Sequence, residues 1–236
     1  MRLDPTFIWT ALTMLLSAIP TTLAITAVSM LCGLVIGTAV ALIRIYKVPV
    51  LHRAANAYVT FIRGTPMLTH LLLIYFGLSF VLDSLSSRYG WSFNSVSIPM
   101  IGFAYTAFSI TAGAYLSEVV RAGLLAVNKG QLEAAYSIGM TTRQAMLRIV
   151  FPQAFAIVLP NLSNSTISML HGSTLAFTVS VVDMNAKSQI VASANWKFLE
   201  SYIAAAILYW GLTIVIERLA SVMEKRMQVH SRGGVS

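Results

Sequence analysis

The sequence predicts an all-α integral membrane protein, one transmembrane domain over residues 1–236, with five membrane-crossing helices, the N-terminus outside and the C-terminus in the cytoplasm. Three observations carry this. Apolar residues make up 57% of the 236 and charged residues only 10%, with a mean hydropathy of +0.75, which excludes an ordinary water-facing surface. Stretches without Lys, Arg, Asp or Glu run over 5–43, 64–82, 89–117, 149–182 and 201–216, and a span needs roughly 20 mainly apolar residues. The basic residues between these stretches divide twelve against four between the two sides.

Taken in order, the spans are expected at 15–43, 61–82, 97–119, 154–182 and 198–221. The first apolar run is far longer than a signal-peptide core, and the segment before it carries one charge of each sign, so it reads as retained helix. Cys32 lies within it with no second thiol, which excludes an intrachain disulfide or a thiolate metal site and leaves packing. The second span is entered through a bend at Gly64 and Pro66, and its lone His70 reads as a satisfied interior residue. The fifth reaches full length only by running past Glu217 or starting near Phe198.

Orientation follows from Lys and Arg, which accumulate on the cytoplasmic side. Arg44, Lys47, Arg53 and Arg63 join spans one and two; Arg121, Lys129, Arg143 and Arg148 join three and four; Arg218, Lys225, Arg226 and Arg232 follow five. Arg2, Arg88, Lys187 and Lys197 form the opposite set. The outer connections, 83–97 and 183–200, are short and polar, with Trp91 and Trp196 suited to anchor at the interface or to receive a docking protein.

The longest cytoplasmic connection, 122–153, reads as two short helices. Asn128 followed three residues later by Gln131 is a helix start, and Gly139 ends that helix; Thr141 with Gln144 repeats the signal, and the second helix stops near Pro152. Glu133, Ala134, Ala135, Gly139, Ile149, Phe151 and Pro152, in that spacing, resemble the EAA loop of binding-protein-dependent ABC importer permeases. Phe151 stands where the family usually has Leu. Residues 58–66, ending Arg63-Gly64-Thr65-Pro66, residues 114–123, and Gly130-Gln131 before the EAA motif are similar to the polar amino-acid branch, and the resemblance covers roughly residues 15–220. Arg63 and Arg121 read equally as cytoplasmic anchors or as part of transport.

The resemblance implies the type I importer permease fold in the bacterial cytoplasmic (inner) membrane, and a loop whose coupling helix, with Glu133, Ala134, Ala135 and Gly139, contacts a separate ATPase. It also implies a second permease, identical or sibling, and an extracytoplasmic binding protein. ATP and Mg would then be held by the ATPase partner. The chain itself has no Gly-x-x-x-x-Gly-Lys-Ser/Thr loop, and is expected to be non-catalytic and to bind no cofactor, metal or nucleic acid.

Polar groups within a span mark a pathway. Asn164, Ser168, His171 and Thr178 share one helical face, widened by Ser173 and Thr174, with Gly172 permitting close approach or a local break. These form the expected substrate path; hydroxyls bonding their own carbonyls and a His171 that merely joins two helices are the alternative. Where related permeases carry a Lys-Asp-Thr-Ser-Leu-like stretch, this chain has His171-Gly172-Ser173-Thr174-Leu175. The Ala176-Phe177-Thr178 and Val181-Val182-Asp183-Met184 portions, and residues 44–50, look like permeases for cystine and related sulfur-containing amino acids; Arg, His, Gln or Glu is the alternative cargo. An ion-coupled carrier is disfavoured by the lack of paired acids in the spans, and an intramembrane enzyme by the spacing of His52, His70, His171 and His230.

Overall fold

The computed structural model describes residues 3–232; Arg2 lies outside them, as do the side chains of His230 and Arg232. Among the described residues every regular element is helical. Four helical runs are long and apolar enough to cross a membrane, Pro5–Ile45, Met67–Tyr89, Thr142–Val179 and Phe198–Met227, and a fifth arises if Met100–Ala126 and Lys129–Ser137, bent by 57°, count together.

The first run starts ten residues before the expected 15. Asp4 caps α1 (Pro5–Leu15) by accepting from the Thr6 and Phe7 amides. Pro20 opens α2 (Ile19–Ile45), and its ring and missing N–H loosen the preceding turn, which is 3₁₀ over Leu16–Ala18.

Residues 61–64, assigned to the second span by sequence, belong instead to a separate amphipathic helix, α3 (Leu51–Gly64), which the charge count concealed. Pro66 forces Thr65 into extended backbone, so α4 (Met67–Tyr89) begins only at Met67. Likewise Pro99 delays α5 (Met100–Ala126) from the expected 97.

The loop helix α6 (Lys129–Ser137) starts at Asn128 and ends before Gly139, whose φ of +82° suits glycine. The Asn128 side chain accepts from Gly130 N while Gln131 N donates to the Asn128 carbonyl, so of the two loop helices it is the second, α7 (Thr142–Ala145), that opens on a complete capping box, at Thr141 and Gln144. Pro152 does not stop the second loop helix as expected. Residues Met146–Val150 widen into a π turn, which absorbs the proline's missing N–H, and the chain runs on into α8 (Phe151–Gly172).

The helix expected to 182 ends earlier. After Gly172 the chain tightens to 3₁₀ over Ser173–Val179, and Ser180 turns left-handed. The expected outer loop 183–200 contains a packed helix, α9 (Met184–Asn195), capped by the buried Asp183, which accepts from Ala186 N and the Tyr209 hydroxyl. A left-handed Trp196 leads to α10 (Phe198–Arg232).

Two cores result. One joins α2, α4, α5 and α8 through Ile25, Leu71, Phe108, Leu116 and Met169. The other joins α1, α9 and α10 through Leu15, Met184, Val191 and Ala204. In the first, Gly33 and Gly37 let α2 lie directly on α5: a Cβ at Gly37 would stand 2.9 Å from the Gly113 carbonyl oxygen.

Candidate functional site

Along α8, Asn161, Asn164, Ser165 and Ser168 recur at helical spacing and line one wall of a cavity of about 420 Å³. Pro160 precedes them within the helix and, lacking an N–H, removes the hydrogen bond to the Ala156 carbonyl. Across the cavity stand Thr111 and Tyr115 of α5, and its apolar lining includes three thioethers, Met30, Met67 and Met169. The cavity therefore offers amide and hydroxyl groups on one side and soft, polarisable sulfur around them.

The structure divides the expected stripe. Asn164 and Ser168 line the cavity, together with Asn161 and Ser165, which sequence reading had not singled out. His171 instead meets α10, edge-on to Tyr209 at 6.1 Å, with Nε2 3.4 Å from Thr213 Oγ1. Ser173 is buried and donates to Leu170 O, while Thr174 and Thr178 donate to His171 O and Leu175 O. Gly172 ends the α-helix and allows a close approach, since a Cβ there would lie 2.9 Å from Met67 Sδ.

His70 is buried against the cavity wall, with Nδ1 3.0 Å from Thr111 Oγ1 and Nε2 2.6 Å from Thr65 Oγ1. Thr65 also contacts Phe61 O and Thr111 contacts Ala107 O. Four contacts thus share the two hydroxyl protons and the ring's own, and a neutral ring supplies only one. The network ties the bend between α3 and α4 to the cavity.

At the end of this region Glu118 of α5 gathers three arginines, Arg44 at 2.7 Å, Arg121 at 2.8 Å and Arg63 at 3.5 Å. The Arg63 guanidinium also lies 6.0 Å from the centre of the Tyr115 ring, at the cavity. Glu118 escaped attention in the sequence because a single acid beside positive anchors looks incidental.

In the loop at 122–153, Glu133, Ala134 and Gly139 are exposed, whereas Ala135 is 1% exposed and serves packing. Ile138 is 75% exposed beside them, with Tyr136 half exposed. The outward surface of the bend is thus an acid, small residues and two uncovered apolar side chains. Beneath it, Val127, Val150 and Ala154 pack with Leu132 and Met146.

At the opposite end, Asp4 binds Lys197 at 3.2 Å and its amide donates to Glu200. Hydrogen bonds from Thr6, Lys197 and the Phe7 amide hold the Asp4 carboxyl down at about 2.

Comparison with known proteins agrees with this architecture. Residues 33–229 match the family model described as binding-protein-dependent transport system inner membrane component. The chain is 38% identical to the probable amino-acid permease protein YxeN of Bacillus subtilis (strain 168), over 95% of this chain and 96% of that protein. It is 36% identical to the L-cystine transport system permease protein TcyL of the same organism, over 89% and 85%. A solved amino acid ABC transporter with histidines superposes with a TM-score of 0.79 at 32% identity, covering 96% of this chain and 100% of that one. The helical scaffold is therefore that of an amino-acid ABC transporter permease, and the chain belongs to the family of binding-protein-dependent inner membrane components, non-catalytic subunits served by a separate ATPase.

Proposed function

We propose that this subunit forms the translocation path for L-cystine or a related sulfur-containing amino acid, through the cavity walled by Asn161, Asn164, Ser165 and Ser168. The observation that carries the reading is the pairing of these amides and hydroxyls with Met30, Met67 and Met169. Amides and hydroxyls suit the ammonium and carboxylate of a zwitterion, and thioethers suit a disulfide or thioether side chain. The likeness to TcyL points the same way.

In this reading the chain crosses the membrane five times with its N-terminus outside. The loop at 122–153 faces the ATPase, with Glu133, Ala134, Gly139 and Ile138 as contacts and Ala135 holding α6 in place. ATP and Mg reside on that partner, a second permease copy or sibling completes the path, and a binding protein delivers substrate from outside. His171 acts within the path assembly by fixing α8 against α10, close to the left-handed Ser180 where the helix has given way to 3₁₀ turns. A different polar amino acid, Arg, His, Gln or Glu, is the second reading, favoured by a cavity wall that carries no charge of its own.

Uptake of radiolabelled cystine, arginine, glutamine and histidine by the complete transporter tests this. Cystine is the preferred cargo, and Asn164→Ala with Ser168→Ala lowers its uptake at equal expression. Unchanged uptake in both variants would remove the cavity from the path.

A further inference from the structure

The turn between α2 and α3 carries two non-glycine residues of positive φ, Lys47 at 50° and Val50 at 64°; with ψ −55° Val50 lies outside the left-handed helical region, a costly setting for a side chain branched at Cβ. Around it lies a cavity of about 500 Å³ lined by Lys47, Val48, Pro49, Val50, His52 and Arg53. Val50 is 82% exposed, and Tyr46 and Leu51 are exposed beside it. Among the described residues no carboxylate stands within ion-pair distance of Lys47 or Arg53.

The protonation of His52 follows from its neighbours. Arg44 Nε can only donate, and it lies 2.7 Å from Asn56 Oδ1, which fixes that amide with Nδ2 towards His52 Nε2 at 2.9 Å. Nε2 therefore accepts, and the ring proton sits on Nδ1. That atom is buried without a hydrogen-bond partner. A buried donor left unpaired is costly, and His52 is among the residues that line a cavity with an ammonium and a guanidinium.

The level of the turn in the membrane is set by α2. Its 27 residues extend about 40 Å, more than the hydrocarbon thickness of about 30 Å, so Ile45 at its end lies at or beyond one boundary. Arg44 is held there by Glu118, and Lys47 follows Arg44 by three residues. The turn thus sits in the headgroup layer, with Val50, Leu51 and Tyr46 available to the acyl boundary.

We propose that the turn at residues 47–53 binds the phosphate of an anionic phospholipid headgroup. Lys47 and Arg53 supply the charge, a small turn of the His52 ring brings its unpaired Nδ1–H to a phosphate oxygen, and Val50 and Leu51 seat among the chains. The three arginines around the single Glu118 leave a positive field next to it. A free phosphate offers the same oxygens; the exposed apolar rim favours the lipid as their source.

Native mass spectrometry of the purified full-length chain, with phosphatidylglycerol against phosphatidylcholine, tests the site. Phosphatidylglycerol is retained preferentially, and the double variant Lys47→Gln, Arg53→Gln weakens retention by about thirtyfold, from two basic residues at an anionic surface. His52→Phe weakens it further in that background, with helix content and melting temperature tracking the fold. Equal retention of both lipids by the parent chain, or equal phosphatidylglycerol retention by parent and a folded double variant, overturns the proposal. Displacement of the lipid by inorganic phosphate alone assigns the site to free phosphate and overturns the lipid assignment. So does a double variant that keeps its lipid but loses the ATPase subunit on co-purification, which would make the turn a protein contact.

Discussion

Glu118 and Arg44 meet at 2.7 Å, joining α5 to α2 at the same end where Gly37 lies against Gly113. Both residues are largely buried, and Arg121 and Arg63 lean on the same carboxylate. Removing the acid leaves three cations facing one another. Glu118→Ala is therefore expected to cost about 3 kcal/mol or more, against a smaller loss for Glu118→Gln, which keeps acceptor oxygen but no charge. Thermal unfolding of the purified chain in detergent measures the difference.

Close backbone contact makes Gly37 intolerant of any side chain. Gly37→Ala should destabilise by about 1–3 kcal/mol through overpacking, because the atoms it meets are backbone, the Gly113 oxygen and Ser117 nitrogen, and cannot swing away. Gly77→Ala, inside α4 with open space around it, should hold or slightly raise the melting temperature. Equal effects of the two would refute the packing argument.

The bend at Gly139 depends on its φ of +82°. Gly139→Val is expected to cost about 1–2 kcal/mol locally and to reduce transport, whereas Gly139→Asn, which tolerates left-handed backbone, should retain most of it. The informative comparison is ATP-driven uptake at matched expression for the two variants.

Acid sensitivity has a defined sign at the Asp4–Lys197 contact. The Asp4 carboxyl is held at about 2, below its ordinary value of 3.8, so the contact contributes stability above about pH 4 and loses it as pH falls through about 2. Asp4→Asn should lower stability at neutral pH and flatten the pH dependence of unfolding in that window, so that parent and variant converge as pH falls through about 2. A parent chain with the same profile as the variant would show that the contact contributes nothing.

The apolar runs, the two-helix loop with its Gly139 bend and the polar character of the fourth span were legible because each follows from local composition or spacing. Departures cluster at prolines. Pro20 made two helices of one run, Pro66 moved residues 61–64 out of the second span, and Pro152 was bridged by a π turn instead of ending a helix. Spacing alone placed His171 with Asn164 and Ser168, but which side of that stripe meets α10 is decided by packing, and Tyr209 and Thr213 took the histidine. Asn161 and Ser165 were passed over for the same reason: their face is defined by Thr111 and Tyr115, some fifty residues away in the chain.

Because Pro152 is absorbed by the Met146–Val150 π turn, the chain from Thr142 to Val179 is one continuous rod of 38 residues. Its near end abuts the Gly139 bend and its middle carries Asn161 to Ser168, about 30 Å away at 1.5 Å per residue. Such a rod is a lever: tilting it at the loop displaces the cavity wall in the same motion, and the π turn and Pro160 are the two points along the way where it can flex.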